Sequence, residues 1–164
     1  AFTGTTMKMI EDKGVHVEDV MAKMLEMFTK ANPNNTRNYK PILLGQNVAF
    51  DVGFLMQMAE ACKVDLSKYL DGKVDYHGNF QPTTVDTLDL SKQHFATDEK
   101  VTSHKLGLVA DKLGVELVNA HEASADVRAT SEIYKTYMEK LRSTNSGSDS
   151  NSGGRVREDY HFNL

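Results

Sequence analysis

Pro41-Ile42-Leu43-Leu44 is a short apolar run stopped at once by Gly45, with a helical pattern resuming near Val48. Four or five apolar residues bounded by a glycine are too few for a helix, and they predict a buried strand that ends at Gly45. A strand that turns straight into a helix, in a chain otherwise rich in helical patterns, constrains the fold to a mixed α/β arrangement.

The helical patterns are legible on both sides of that strand. A short helix is predicted through Met7, Met9 and Ile10, with a stop at Gly14. A stronger one follows, because Val17, Val20, Met21, Met24, Leu25 and Phe28 recur at three- and four-residue spacing and Asn32-Pro33-Asn34-Asn35 ends the run. Val64 to Pro82 has a poor pattern, broken by Gly72, Gly78 and Pro82, and reads as an irregular connection. Val85 to Leu90 suits a strand running into a helix. Leu106, Val109, Ala110 and Leu113 form a further helical stripe closed by Gly114, and Val115 to Val118 suits a short extended piece. A long final helix is predicted from about Glu122 to Leu141. Residues 143–154 are Ser, Asn and Gly with one Thr and one Asp, a composition that cannot bury apolar surface and predicts a flexible linker to a tail at 155–164.

Composition excludes little but narrows the setting. The chain has 164 residues, 40% of them hydrophobic, which suits one domain with a modest core. A net charge of −4 gives no global basic field, so charge neither supports nor excludes a nucleic-acid ligand. The single cysteine, Cys62, has no internal disulfide partner and reads as a small buried hydrophobe, which fits a reducing, cytoplasmic setting. No apolar run reaches the roughly 20 residues of a membrane-spanning helix, so no membrane contact is expected.

Two acids draw the attention that composition does not. Asp51 falls in the first turn of the helix after Gly45, in line with Phe54, Leu55, Met58 and Cys62; Asp126 heads a similar row with Thr130, Ile133, Tyr137 and Leu141. An ionised carboxylate on a buried face is costly unless a cation or donors meet it, so two such acids point to a shared metal. Taken singly, each reads better as a first-turn acid complementing the helix dipole, and it is their shared geometry that points to a site. His121 lies five residues before Asp126, a rotation of about 140° on a continuous helix, so it is expected in the preceding loop. From there its imidazole could act as a general base near neutral pH. The remaining histidines have no ligand-like spacing and receive no role.

Gly45-Gln46-Asn47-Val48-Ala49-Phe50-Asp51-Val52-Gly53-Phe54-Leu55 resembles the second exonuclease motif, HNxxFDxxFL, of the DEDDh (DnaQ-like) 3′–5′ exonucleases. His121-Glu122-Ala123-Ser124-Ala125-Asp126 resembles the third motif, HxAxxD. Val85-Asp86-Thr87-Leu88 resembles the family's VDTL strand, His104-Lys105-Leu106 its following helix start, and Thr3-Gly4-Thr5 its TG turn. The order is that of the family over residues 2–141.

The resemblance implies an RNase H-like fold and hydrolysis at nucleic-acid 3′ ends assisted by two Mg²⁺ or Mn²⁺ ions, in proofreading, repair or processing. By it, Asp51 and Asp126 are metal ligands, His121 the general base, and Thr3, Gly4, Asn47 and Phe50 lie near substrate. Oxygen ligands suit Mg²⁺, and two ions can serve the attacking and leaving oxygens of one phosphorus. Gln46 stands where many relatives have histidine, and glutamine cannot titrate. The family's first motif, DxE, is absent, which predicts that the N-terminal strands are missing from this chain and that residues 1–142 are the C-terminal majority of the domain. A catalytically inactive exonuclease-like interaction or structural module is the alternative. The expected partners are single-stranded 3′ ends, a second copy in a homodimer, and a DNA polymerase, clamp or larger assembly docked through Tyr160, Phe162 and Leu164.

Overall fold

The computed structural model describes residues 6–36, 39–117 and 123–145. Helix α1 (Met7–Lys13) is capped by Thr6, whose hydroxyl accepts the Met9 N–H at 3.2 Å, and it buries no residue. Helix α2 (Val17–Ala31) places Met21 in the core and half-buries Met24, Leu25 and Phe28 around it, as the spacing predicts.

Strand β1 (Leu43–Gly45) runs into helix α3 (Ala49–Ala61). The stop at Gly45 has a steric cause: a Cβ there would sit 2.8 Å from Val48 Cγ2, and Val48 is almost fully buried. The strand is less buried than its apolar composition predicts, since Ile42 and Leu44 are both exposed. Among the described residues β1 has one strand neighbour, β4 (Thr84–Asp86), paired in parallel with Leu44 opposite Val85 and Gly45 opposite Asp86.

Residues 64–82 are more regular than expected. A 3₁₀ turn at Leu66–Lys68 is capped by Asp65, and β2 (Gly72–Val74) pairs antiparallel with β3 (Phe80–Pro82) in a hairpin. Asp75 organises the hairpin end by accepting the backbone N–H groups of His77 and Asn79, each at 2.9 Å. Gly78 supplies the positive φ of 84° that the turn requires. The glycines that read as breakers are the chemistry of a hairpin.

Strand β4 passes directly into α4 (Thr87–His94), then come α5 (Leu106–Leu113) and α6 (Ala123–Asn145). Gly114 ends α5 in the left-handed conformation, φ 71°. Val115 to Leu117 form no strand. Helix α6 runs past Leu141 to Asn145, with the Ser143 hydroxyl donating to the Lys140 carbonyl at 2.8 Å. Two apolar clusters result: Met21, Leu55, Ala59, Leu66 and Leu70 between α2, α3 and the 3₁₀ turn, and Val109, Ala110, Ile133 and Tyr137 between α5 and α6. Cys62 is half-buried against the first. No helix among the described residues is long and apolar enough to cross a membrane.

Candidate active site

The turn from β1 to α3 is held from across the ribbon by Asp86. One carboxylate oxygen accepts the Asn47 N–H at 2.9 Å and the Leu88 N–H at 2.9 Å, and the other accepts the Val48 N–H at 3.1 Å. Asp86 thus caps α4 and fastens the loop 39 residues earlier in the chain. Asn47 adopts φ 59°, a left-handed conformation that asparagine tolerates better than most residues. Its role in the loop is therefore backbone shape, and its N–H is spent on Asp86.

Gln46 is fixed by its side chain. Its Oε1 accepts a hydrogen bond from the Thr87 hydroxyl, which also lies 3.2 Å from the Gly45 carbonyl, and its Nε2 donates to the His104 carbonyl at 2.8 Å. The Ser91 hydroxyl meets His104 Nδ1 at 2.8 Å. Thr87 and Ser91 are completely buried.

Asp51 lies in the first turn of α3, and it is exposed rather than buried. It does share a row with Leu55 and Ala59, which are core residues, but the core ends one turn short of it. The desolvation argument for a metal at Asp51 accordingly fails, and exposure to solvent and ligands takes its place. Phe50 and Phe54 flank it at 66% and 54% exposure, their rings edge-to-face at 5.0 Å.

Asp126 fits its prediction more closely. It is half-buried in the first turn of α6, one turn ahead of Thr130 and on the row that continues through Ile133 and Tyr137, all three of them buried; Leu141, the last of the row, is exposed. Helix α6 packs on β1, the strand that delivers Asp51. The ion pairs Lys30–Glu26, Lys92–Asp89 and Lys135–Glu132 are each local to one helix, and none involves Asp51 or Asp126. Thr3, Gly4, His121 and residues 146–164, including the tail, lie outside the described residues.

As donors, the two carboxylates suit a hard cation. Among the described residues, however, no group of three His, Cys, Asp or Glu side chains converges on one point. The acids present are of the right chemistry for a divalent ion and do not by themselves complete its protein ligands.

Sequence reasoning missed Asp86, Gln46 as a strut, and His104. Asp86 carried a usable signal, an aspartate between a β-branched pair and the start of a helix, which is an N-cap pattern. For Gln46 and His104 no sequence signal exists, because their partners are 41 and 58 residues from Gln46.

A parallel strand pair flanked by helices, with acids at the first turns of α3 and α6, defines an α/β domain of the RNase H-like exonuclease class. The chain belongs to the exonuclease family, whose profile matches residues 1–134. It is 29% identical over 140 residues to a DNA polymerase III PolC-type of Clostridium perfringens, covering 85% of this chain and 8% of that protein. It is 31% identical over 140 residues to the PolC-type polymerase of Caldanaerobacter subterraneus, again 85% and 8%. Identity to the 3′-5′ exonuclease DinG of Staphylococcus saprophyticus is 33% over 103 residues, 62% of this chain and 10% of the relative. The chain therefore spans about a tenth or less of the length of these relatives. No solved structure matches it.

Proposed function

We propose that this domain is a metal-dependent 3′–5′ exonuclease that hydrolyses phosphodiester bonds at single-stranded nucleic-acid ends. The observation that carries the reading is the Asp86 clamp, which sets the motif turn rigidly and leaves Asp51 at the solvent-facing start of α3. A group that must meet a phosphate and its counter-ion has to be accessible and pre-positioned, and this one is both. Relatives named as a 3′-5′ exonuclease and as DNA polymerases support the exonuclease reading, and a setting in proofreading or repair, in the cytoplasm and on single-stranded ends, is part of the same proposal.

In this reading Asp51 and Asp126 hold Mg²⁺ or Mn²⁺. Such ions, when bound, lower the pKa of water and stabilise negative charge on phosphate oxygens. What the chain supplies is positioning. Asp86 and Asn47 set the loop, the exposed Phe50 ring offers a face for the terminal base, Thr3 and Gly4 lie near the terminal nucleotide, and His121 takes a proton as general base. Residues 1–142 belong to the exonuclease unit in this reading, and the tail at 155–164 is a docking peptide for a polymerase or clamp.

The test is digestion of a 3′-labelled single strand by the full-length protein with Mg²⁺ or Mn²⁺, beside Asp126→Ala and Asp51→Ala. Replacing groups that merely orient a metal ligand costs about 10–100-fold, so removing a ligand should cost at least ~100-fold. Undiminished digestion by Asp126→Ala would sink the assignment. An intact, folded protein with no metal-dependent hydrolysis at high concentration would favour a non-catalytic interaction module instead.

A further inference from the structure

We propose that Gln46 is a positioning residue, a strut through which the loop bearing Asp51 and the helix bearing Asp126 are set relative to one another. The kinetic part of this inference rests on the exonuclease reading; the structural part does not.

The connection runs through named atoms. Gln46 immediately precedes Asn47 in the clamped loop, and its amide bridges the Thr87 hydroxyl on α4 and the His104 carbonyl at 2.8 Å. His104 stands two residues before α5, and its ring is held as well, Nδ1 lying 2.8 Å from the fully buried Ser91 hydroxyl on α4. The chain entering α5 is thus pinned at backbone and side chain. Helix α5 in turn packs on α6 through Val109, Ala110, Ile133 and Tyr137. The Gln46 amide thus joins the β1–α3 loop directly to the segment ahead of α5.

The chemistry of the bridge is specific. It needs one acceptor toward Thr87 and one donor toward a carbonyl, which a primary amide presents together. A neutral imidazole presents the same pair. Leucine has similar bulk and neither, while glutamate keeps the acceptor and sets oxygen against the His104 carbonyl. The site is half-buried, where an unmet polar group is expensive.

The experiment compares wild-type full-length protein with Gln46→Leu, Gln46→Glu, Gln46→His and Thr87→Val, using a 3′-labelled single strand with Mg²⁺ and amide hydrogen exchange. Gln46→Leu is expected to lower kcat by about 10–100-fold, the range for lost orienting contacts, with KM little changed. Gln46→His should restore most of that loss, Gln46→Glu should not, and Thr87→Val should add little to Gln46→Leu because both break one bridge. Equal kcat in Gln46→Leu and wild type, or a histidine variant as impaired as the leucine one, would overturn the proposal. If Gln46→Leu does not fold, Thr87→Val and Gln46→Glu carry the same comparison. Should wild type lack nuclease activity altogether, the exonuclease reading falls, and the strut is judged by exchange alone. Faster exchange at Val109 at the start of α5, together with the Asn47 and Val48 amides, then supports it; unchanged exchange at Val109 refutes it.

Discussion

Asp86 holds the Asn47 backbone N–H at 2.9 Å, so a carboxylate at the end of one strand shapes the turn at the end of its parallel neighbour. The same carboxylate takes the N–H groups of Val48 and Leu88, and both helices that start beside the strand ends depend on it. Hydrogen bonds to a charged acceptor are the stronger kind, and leaving three donors unmet is costly.

Asp86→Ala is therefore expected to destabilise the domain by about 1–3 kcal/mol. Urea denaturation measures this. Because Asp51 follows the freed turn, nuclease activity per folded molecule should fall too. A variant as stable as wild type would show that water replaces the carboxylate without cost.

Gly45→Ala tests the sharp exit from β1. Its Cβ would lie 2.8 and 2.9 Å from Val48 Cγ2 and Cβ, closer than real carbon contacts allow. Overpacking at a buried valine costs about 1–3 kcal/mol, read as a lower urea midpoint with an unchanged slope.

Tyr137 offers a change in the other direction. Its ring is buried and its hydroxyl has no hydrogen-bond partner among the described residues, while neighbouring Ser91 is engaged with His104. Burial raises the Tyr137 pKa above 10.0, with the nearby Ser91 hydroxyl opposing. Since the folded state favours the protonated phenol, the stability it carries is present below the unfolded pKa and is lost as pH rises past it. Tyr137→Phe removes both the unmet hydroxyl and this alkaline liability. It should be neutral or stabilising by up to about 1 kcal/mol near pH 7, with a gentler loss above pH ~10, by denaturation at several pH values.

His94 predicts an acid limb. Burial, and then the Lys140 charge whose Nζ lies 3.4 Å from Nε2, lower its pKa from 6.5. A lowered pKa means the fold prefers neutral imidazole, so its contribution is full above the unfolded pKa and is lost as pH falls through the folded one. His94→Gln should flatten the decline in stability below pH ~6.5; an unchanged acid limb would exclude His94 as its source.

His121→Ala should slow hydrolysis by about 100–10,000-fold, the usual range for a general base, while divalent-ion binding measured by calorimetry stays intact. Loss of ion binding with activity would make His121 a ligand or a structural residue instead.

Much of this was written in the chain itself. Helices α2, α5 and α6, the stop at Gly45 and the passage of β4 into α4 follow from side-chain periodicity and from glycine and cap chemistry, which act within a few residues. The row beneath Asp126 was equally legible, because Thr130, Ile133 and Tyr137 repeat at helical spacing and are all buried. The exposure of Asp51 was not, although its row has the same spacing: periodicity says which side of a helix turns inward, and only tertiary packing says how far along the helix the core extends. The hairpin at 72–82 hid behind its glycines for a related reason, since a strand of three residues is too short to show a period. The reach of Asp86 to Asn47 and the link from Gln46 to His104 were decided by the fold alone, because a hydrogen bond across 39 to 58 residues depends on where two chain segments meet and leaves no local mark on either.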